Sequence, residues 1–126
     1  MKMPFFDWAN FWDLAQHLEI FGKDNPHLEQ AAFRTAVSRA YYAAFGVVRE
    51  YAVNKNAPEI TGTYKDHRGV IEFLKKYNAK IGTKLSKLQS WRKDSDYEDM
   101  PVSSQKVENA LTYAKEVIDW LRKNAP

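Results

Sequence analysis

Residues 103–121, SSQKVENALTYAKEVIDWL, carry Val107, Ala110, Leu111, Ala114, Val117, Ile118 and Leu121 at steps of three, one, three, three, one and three. That spacing lines all of them along one face of an α-helix and leaves the charged residues on the other. Ser103 stands where a side-chain cap is needed. Working back along the chain, Met100-Pro101 breaks a preceding helix that begins near Gly82 and carries Ile81, Leu85 and Leu88. Before it, Tyr64 to Tyr77 repeats the helical spacing through Val70, Ile71, Phe73, Leu74 and Tyr77, and Asn78 stops it. Asn54 to Thr63, with Asn56, Pro58 and Gly62, reads as a loop. Asn25-Pro26 reads as a cap and first position for a long alanine-rich helix from Pro26 to about Val53. Asp7 to Phe21 forms the first helix, with Phe11, Leu14, Ala15, Leu18 and Phe21 as its buried stripe and Gly22 as its end.

No strand pattern competes with these helices. With five Gly and five Pro in 126 residues, the chain has too few turn formers for an all-β protein. The expectation is one all-α domain over residues 1–126, an up-and-down bundle of four to five helices. At 44% hydrophobic and 14% aromatic, the chain can fill a core without crosslinks. There is no cysteine, which excludes disulfides, thiolate zinc sites and cysteine nucleophiles. His17, His27 and His67 lack the spacing of a helical metal site, so neither metal nor cofactor is expected. The aromatic opening Phe5, Phe6, Trp8, Phe11 and Trp12 is read as packing that covers one end of the bundle. Phe5 and Phe6 are followed at once by Asp7, which leaves no apolar core for a signal peptide. The longest apolar run, Ala40 to Val48, has nine residues between Arg39 and Arg49, against the ~20 a membrane span requires. A cytoplasmic location is expected.

The formal charge of +3 is mild, but its distribution is uneven. Phe73 to Lys93 holds Lys75, Lys76, Lys80, Lys84, Lys87, Arg92 and Lys93 with no acid, and Asp94, Asp96, Glu98 and Asp99 follow. Within that stretch one position breaks the helical rule. Continuing the inward series Ile81, Leu85, Leu88 by four residues lands on Arg92. Asp96 follows at i+4, so one reading is a helical ion pair worth a few tenths of a kcal/mol, about 0.3–0.5. The other is an anion site at the end of the bundle made by Arg92, Asp96 and Tyr97, because a guanidinium grips phosphate by two parallel bonds. Lys76, Lys80, Lys84 and Lys87 form either a solvated face or a basic strip that tracks a phosphate backbone.

The second helix, unrolled, puts Phe33, Ala36, Val37, Ala40, Ala44, Val47 and Val48 on a core arc. Thr35, Arg39, Tyr42, Gly46 and Glu50 lie opposite, and Arg34, Ser38 and Arg49 form a flank. Arg39 has small or hydroxylic neighbours. It reads either as an ordinary solvated or salt-bridged arginine, paired with Glu50 or a neighbouring helix, or as a guanidinium with room to lie flat on a ligand. His67 reads as a capping or packing residue, and as an acid or base only if the fold brings it to Arg92. No Ser-His-Asp set or phosphate loop is present, and the carboxylates Asp96, Glu98 and Asp99 lack the spacing of a Mg²⁺-binding loop.

SRAYYAAF at 38–45, within RTAVSRAYYAAF, with HRGVIEFL at 67–74 and RKDSDY at 92–97, resembles the HEPN family over nearly the whole chain. The family consists of small all-helical prokaryotic domains often found beside nucleotidyltransferases. The resemblance implies a bundle of four or five helices that dimerises and, in active members, cleaves RNA without metal through an Arg-x4-6-His motif. Arg92 matches the arginine, while Tyr97 stands where the histidine would, and an ordinary phenol, with pKa of about 10, is a poor base at neutral pH. The site implied is Arg92, Asp96 and Tyr97 for the chemistry, with Arg39, Ser38, Tyr42, His67, Lys84 and Lys87 holding RNA or a nucleotide phosphate. The alternative is a non-catalytic module that partners a separately encoded nucleotidyltransferase, as in toxin-antitoxin pairs.

Overall fold

A computed structural model describes residues 5–124. Among these there are five α-helices and no strand: α1 (Asn10–Asp24), α2 (Glu29–Asn54), α3 (Asp66–Tyr77), α4 (Ala79–Tyr97) and α5 (Ser104–Asn124). A single 3-10 turn, Pro26–Leu28, leads into α2. α2 is the axis of the bundle and touches all four other helices. Its composition allows this: Ala32, Ala36, Ala40, Ala43, Ala44 and Ala52 are all buried, and small side chains let several neighbours approach one helix. α5 presents its seven-residue apolar series to the core as the spacing predicts, and the Ser103 hydroxyl accepts the Lys106 amide at 3.1 Å. No helix among the described residues is long and apolar enough to cross a membrane.

Five boundaries differ from the sequence reading; the first is the start of α1, at Asn10 and not Asp7. α1 runs past Gly22, which is buried against Ala32 and Phe33, and ends two residues later. The Asn25 side chain donates back to the Phe21 carbonyl at 2.9 Å, so it closes α1 and does not cap α2. α3 starts at Asp66, two residues after the predicted Tyr64, because Thr61 and Gly62 are drawn onto the Asp66 carboxylate. α4 starts at Ala79, where Asn78 accepts the Ile81 amide at 3.1 Å; Asn78 both ends α3 and caps α4.

The buried stripe of α1 is also rotated from its predicted place. Leu14 and Phe21 are exposed, while Ala15, Glu19 and Gly22 are buried. The cause lies in two polar contacts with α5. Trp12 Nε1 donates to the Leu111 carbonyl at 2.8 Å, and Glu19 accepts Ser104 Oγ at 3.0 Å with Lys23 beside it at 3.7 Å.

The polar side of α2 is covered too. Phe6, Trp8 and Phe11 pack edge-to-face on one another, and Trp8 lies on Gly46, while Phe5 is fully exposed. A β-carbon at Gly46 would come within 2.1 Å of the Trp8 indole, so only glycine admits this approach. Gly46→Ala should therefore cost about 1–3 kcal/mol in urea denaturation, as overpacking does. In a Trp8→Ala background the same change should cost much less; an equal cost in both backgrounds would contradict this packing.

Asp66 holds the loop before α3. Its buried carboxylate accepts Thr61 N at 2.7 Å, Thr61 Oγ1 at 3.1 Å, Gly62 N at 3.2 Å and Arg49 Nε at 3.1 Å. Burial alone would raise its pKa, but the hydrogen bonds from Thr61, Arg49 and Gly62 outweigh burial and hold it below the ordinary carboxylate value. A carboxyl that is more acidic folded than unfolded contributes fully above its unfolded pKa of about 4 and loses that contribution as pH falls through the lowered folded value. Asp66→Ala should cost about 2 kcal/mol at pH 7, and the penalty should shrink below about pH 4. A pH-independent penalty in thermal melts would contradict this assignment.

Candidate functional site

The row Ile81, Leu85, Leu88, Arg92 and Ser95 faces inward along α4, and all five residues are buried. Arg92 is 7% exposed. Its Nη1 lies 3.4 Å from Asp96 Oδ2, long for a charge-assisted bond, which falls at about 2.7–2.9 Å. Its Nε is buried with no hydrogen-bond partner, and Ser95 Oγ one turn on is buried and unpartnered as well. The rest of the charge is answered by aromatic faces: the guanidinium carbon lies 5.6 Å from the Tyr41 ring centroid and 5.7 Å from that of Tyr42. A desolvated cation costs several kcal/mol unless carboxylates or hydrogen bonds answer it, and cation–π contacts return about 2 kcal/mol at best. Arg92 is thus an under-neutralised guanidinium at the seam of α4 and α2, with donor capacity unspent.

Arg39 reaches one of these rings, Tyr42, from α2. Its guanidinium carbon lies 4.8 Å from both the Phe11 and the Tyr42 centroids. Nη2 donates to the buried Ser38 hydroxyl at 3.3 Å. No ion pair to Arg39 exists among the described residues; Glu50, its candidate partner by sequence, meets Trp8 instead. Tyr42 accordingly has one guanidinium at 4.8 Å and another at 5.7 Å from its ring.

His67, in the first turn of α3, is brought to this group. It stacks on Phe45 at 4.6 Å, its ring centroid lies 5.9 Å from that of Tyr42, and its Nδ1 is 2.6 Å from the Tyr41 hydroxyl. Burial lowers its pKa, and the positive charges of Arg92 and Lys93 lower it further against a smaller upward pull from Asp66. His67 is therefore neutral at pH 7. Burial also raises the pKa of Tyr41, against a smaller lowering by Arg92, and the phenol keeps its proton. Arg39, Arg92 and His67, from three helices, meet at the Tyr42 ring, and Arg92 and His67 also meet Tyr41.

The remaining predicted residues lie apart. Tyr97, the last residue of α4, is 77% exposed and lines an open depression with Gln30, Arg34, Asp96 and Met100. Five helical steps put it about 140° around α4 from Arg92. Lys84 pairs with Glu116 on α5 at 2.8 Å and lies over the Tyr113 ring, and Lys76 pairs with Glu59, so the lysine strip is interrupted. Lys80 and Lys87 are exposed. No group of three acidic or histidine side chains able to hold a metal occurs among the described residues.

Sequence reasoning placed Arg34 on the flank of α2 and gave it no role. Its guanidinium donates to the carbonyls of Ser95 and Glu98 at 2.8 Å each and of Met100 at 2.6 Å, closing the open C-terminal end of α4. Gln30, one turn earlier, clasps Val102 through both its amide and its carbonyl. Together they fix where α4 stops, and so where Asp96 and Tyr97 sit. Ser95 was legible as the next step of the row that ends in Arg92. Arg34 was not, since its acceptors are backbone atoms more than sixty positions away.

A model of the HEPN domain matches residues 25–124. No curated protein matches the chain. The match begins at Asn25, so it takes in α2 to α5 with both arginines, both tyrosines and His67, and leaves α1 and the Phe6–Phe11 aromatic cover outside. With four-fifths of its length accounted for in this way, the chain belongs to the HEPN domain family.

Proposed function

We propose that this chain binds the phosphate of RNA or of a nucleotide at the seam of α2 and α4, with Arg92 as the anchor and Arg39 as the second cation, and that it works as a homodimer. The observation that carries the reading is the state of Arg92: buried, weakly paired at 3.4 Å, with its Nε unsatisfied. A phosphate oxygen is the acceptor that such a guanidinium lacks. Arg39, flat between two rings and free of carboxylates, supplies a second charge beside it. Ser38 and Tyr42 hold these cations in place, while Lys87 and the less available Lys84 add distant positive charge along α4.

Cleavage of RNA without metal is the catalytic extension of this reading. There Arg92 stabilises the charge that develops on the phosphoryl oxygens and Asp96 orients it, while Tyr97, about 140° around α4, lies off this seam and takes no part. The alternative, a non-catalytic module docked on a nucleotidyltransferase, would use the N-terminal aromatics and the polar side of α2. Those two surfaces largely cover each other, which favours the phosphate reading.

Fluorescence anisotropy with a short labelled single-stranded RNA tests the proposal. Arg92→Ala should weaken binding at least tenfold, about 1.4 kcal/mol, while Lys80→Ala should change it little. Parent affinity should fall with salt, at a log–log slope of about −0.7 for each phosphate engaged. Equal affinity for parent and Arg92→Ala would remove the proposal. Incubation of RNA with chelator present reads the catalytic extension: loss of full-length RNA with the parent and none with Arg92→Ala supports it, and intact RNA with both removes it. Sedimentation velocity should give a dimer at micromolar concentration, and a monomer would remove the homodimer.

A further inference from the structure

The contact between Tyr41 and His67 is not used by the reading above, although it lies against the same two rings as Arg92. The Tyr41 side chain is fully buried, and Nδ1 of His67 is the partner of its hydroxyl at 2.6 Å. A hydroxyl can donate or accept, but the two choices differ in what they leave unmade. If Nδ1 carried the proton and donated, the phenol hydrogen would be buried with no acceptor, a loss of about 1–3 kcal/mol. The satisfied arrangement has the phenol donating to Nδ1. The imidazole proton then resides on Nε2, on the opposite side of the ring, and the stacked face of Phe45 at 4.6 Å keeps the ring from turning.

We infer that His67 is a third ligand of the bound phosphate, donating through Nε2–H, and that Tyr41 is the positioning residue that fixes its tautomer. This rests on the anion-binding reading of Arg92. A protein aims an imidazole at a ligand by anchoring one ring nitrogen, here Nδ1 on the Tyr41 hydroxyl, and leaving the other free to donate. Neutral in the free protein, His67 offers an N–H at the cost of no further buried charge beside Arg92.

An anion arriving at Arg92 changes that balance. The charged and titratable groups around the imidazole are Tyr41 and Tyr42 from α2, Asp66 of its own helix, and Arg92 and Lys93 from α4. Asp66 is already engaged by Arg49, Thr61 and Gly62, so the cations prevail in the free protein. Bound phosphate offsets Arg92 and favours imidazolium, Nδ1 taking the proton while the Tyr41 hydroxyl turns from donor to acceptor and gives up its own donor bond. Binding then takes up a proton, and affinity rises as pH falls from 8 toward 5.5.

The test uses a short single-stranded RNA with a 5′-hydroxyl, whose phosphodiesters do not titrate in this range, bound to the full chain. The parent should bind several-fold more tightly at pH 5.5 than at pH 8, and His67→Gln should flatten that profile. Nitrogen-15 NMR of the free parent should show His67 protonated at Nε2 and bare at Nδ1, and Tyr41→Phe should abolish that preference. A bare Nε2 with the proton on Nδ1 would overturn the inference whatever the variants do. Arg92-dependent binding whose pH profile is the same in parent and His67→Gln would overturn it while leaving the anion site standing. Binding that is absent, or indifferent to Arg92→Ala, would remove both.

Discussion

A guanidinium buried against two tyrosine rings governs the arrangement of this bundle's functional end. Arg92 occupies the position at which the inward row of α4 calls for an apolar side chain, and the rings of Tyr41 and Tyr42 on α2 are what it meets. Its one carboxylate, Asp96, is at the edge of reach and partly in water. Removing a cation from solvent and leaving it half answered costs folding free energy. Ordinary packing would place a leucine there. The cost makes sense where an incoming anion completes the pairing, and the second guanidinium on Tyr42 points the same way.

The surrounding structure makes that position rigid. α2 is held by four helices, and its alanines bring them close enough for one helix to serve as a common wall. Arg34 and Gln30 fasten the end of α4 through backbone atoms alone, so the segment bearing Asp96 and Tyr97 is placed by α2 rather than by its own sequence. The Asp66 loop sets the start of α3 and thereby brings His67 to Tyr41. The Phe6–Phe11 cover and α1 lie outside the HEPN match, yet Phe11 supplies one of the two rings that flatten Arg39. The second cation is thus positioned partly by a residue outside the matched region.

The helices and the anomaly at Arg92 were legible in the sequence because both depend on spacing within one element. The α5 series and the row from Ile81 to Arg92 needed only the period of a helix. What escaped involved partners from elsewhere in the chain. The α1 stripe is rotated because Trp12 and Glu19 find polar partners on α5, which no local pattern encodes. Nothing local to α2 encodes the Trp8 indole that lies on Gly46 of its polar face. His67 carried its condition openly, that the fold must bring it to Arg92; both residues lie against Tyr41 and Tyr42, which are distant in sequence from each. The lysine strip had the right period but loses Lys76 and Lys84 to Glu59 and Glu116, acids that are remote in sequence.

The most direct measurement is the arginine Nε–Hε correlation spectrum recorded while a short single-stranded RNA is added, with the Arg92 signal assigned by its disappearance in Arg92→Lys. In the free protein that proton should resonate as one without an acceptor, and it should shift in proportion to occupancy as phosphate engages the guanidinium. An Arg92 signal that stays fixed while RNA binds elsewhere, or while no binding occurs, would contradict the account and leave a helical bundle with a purely structural arginine.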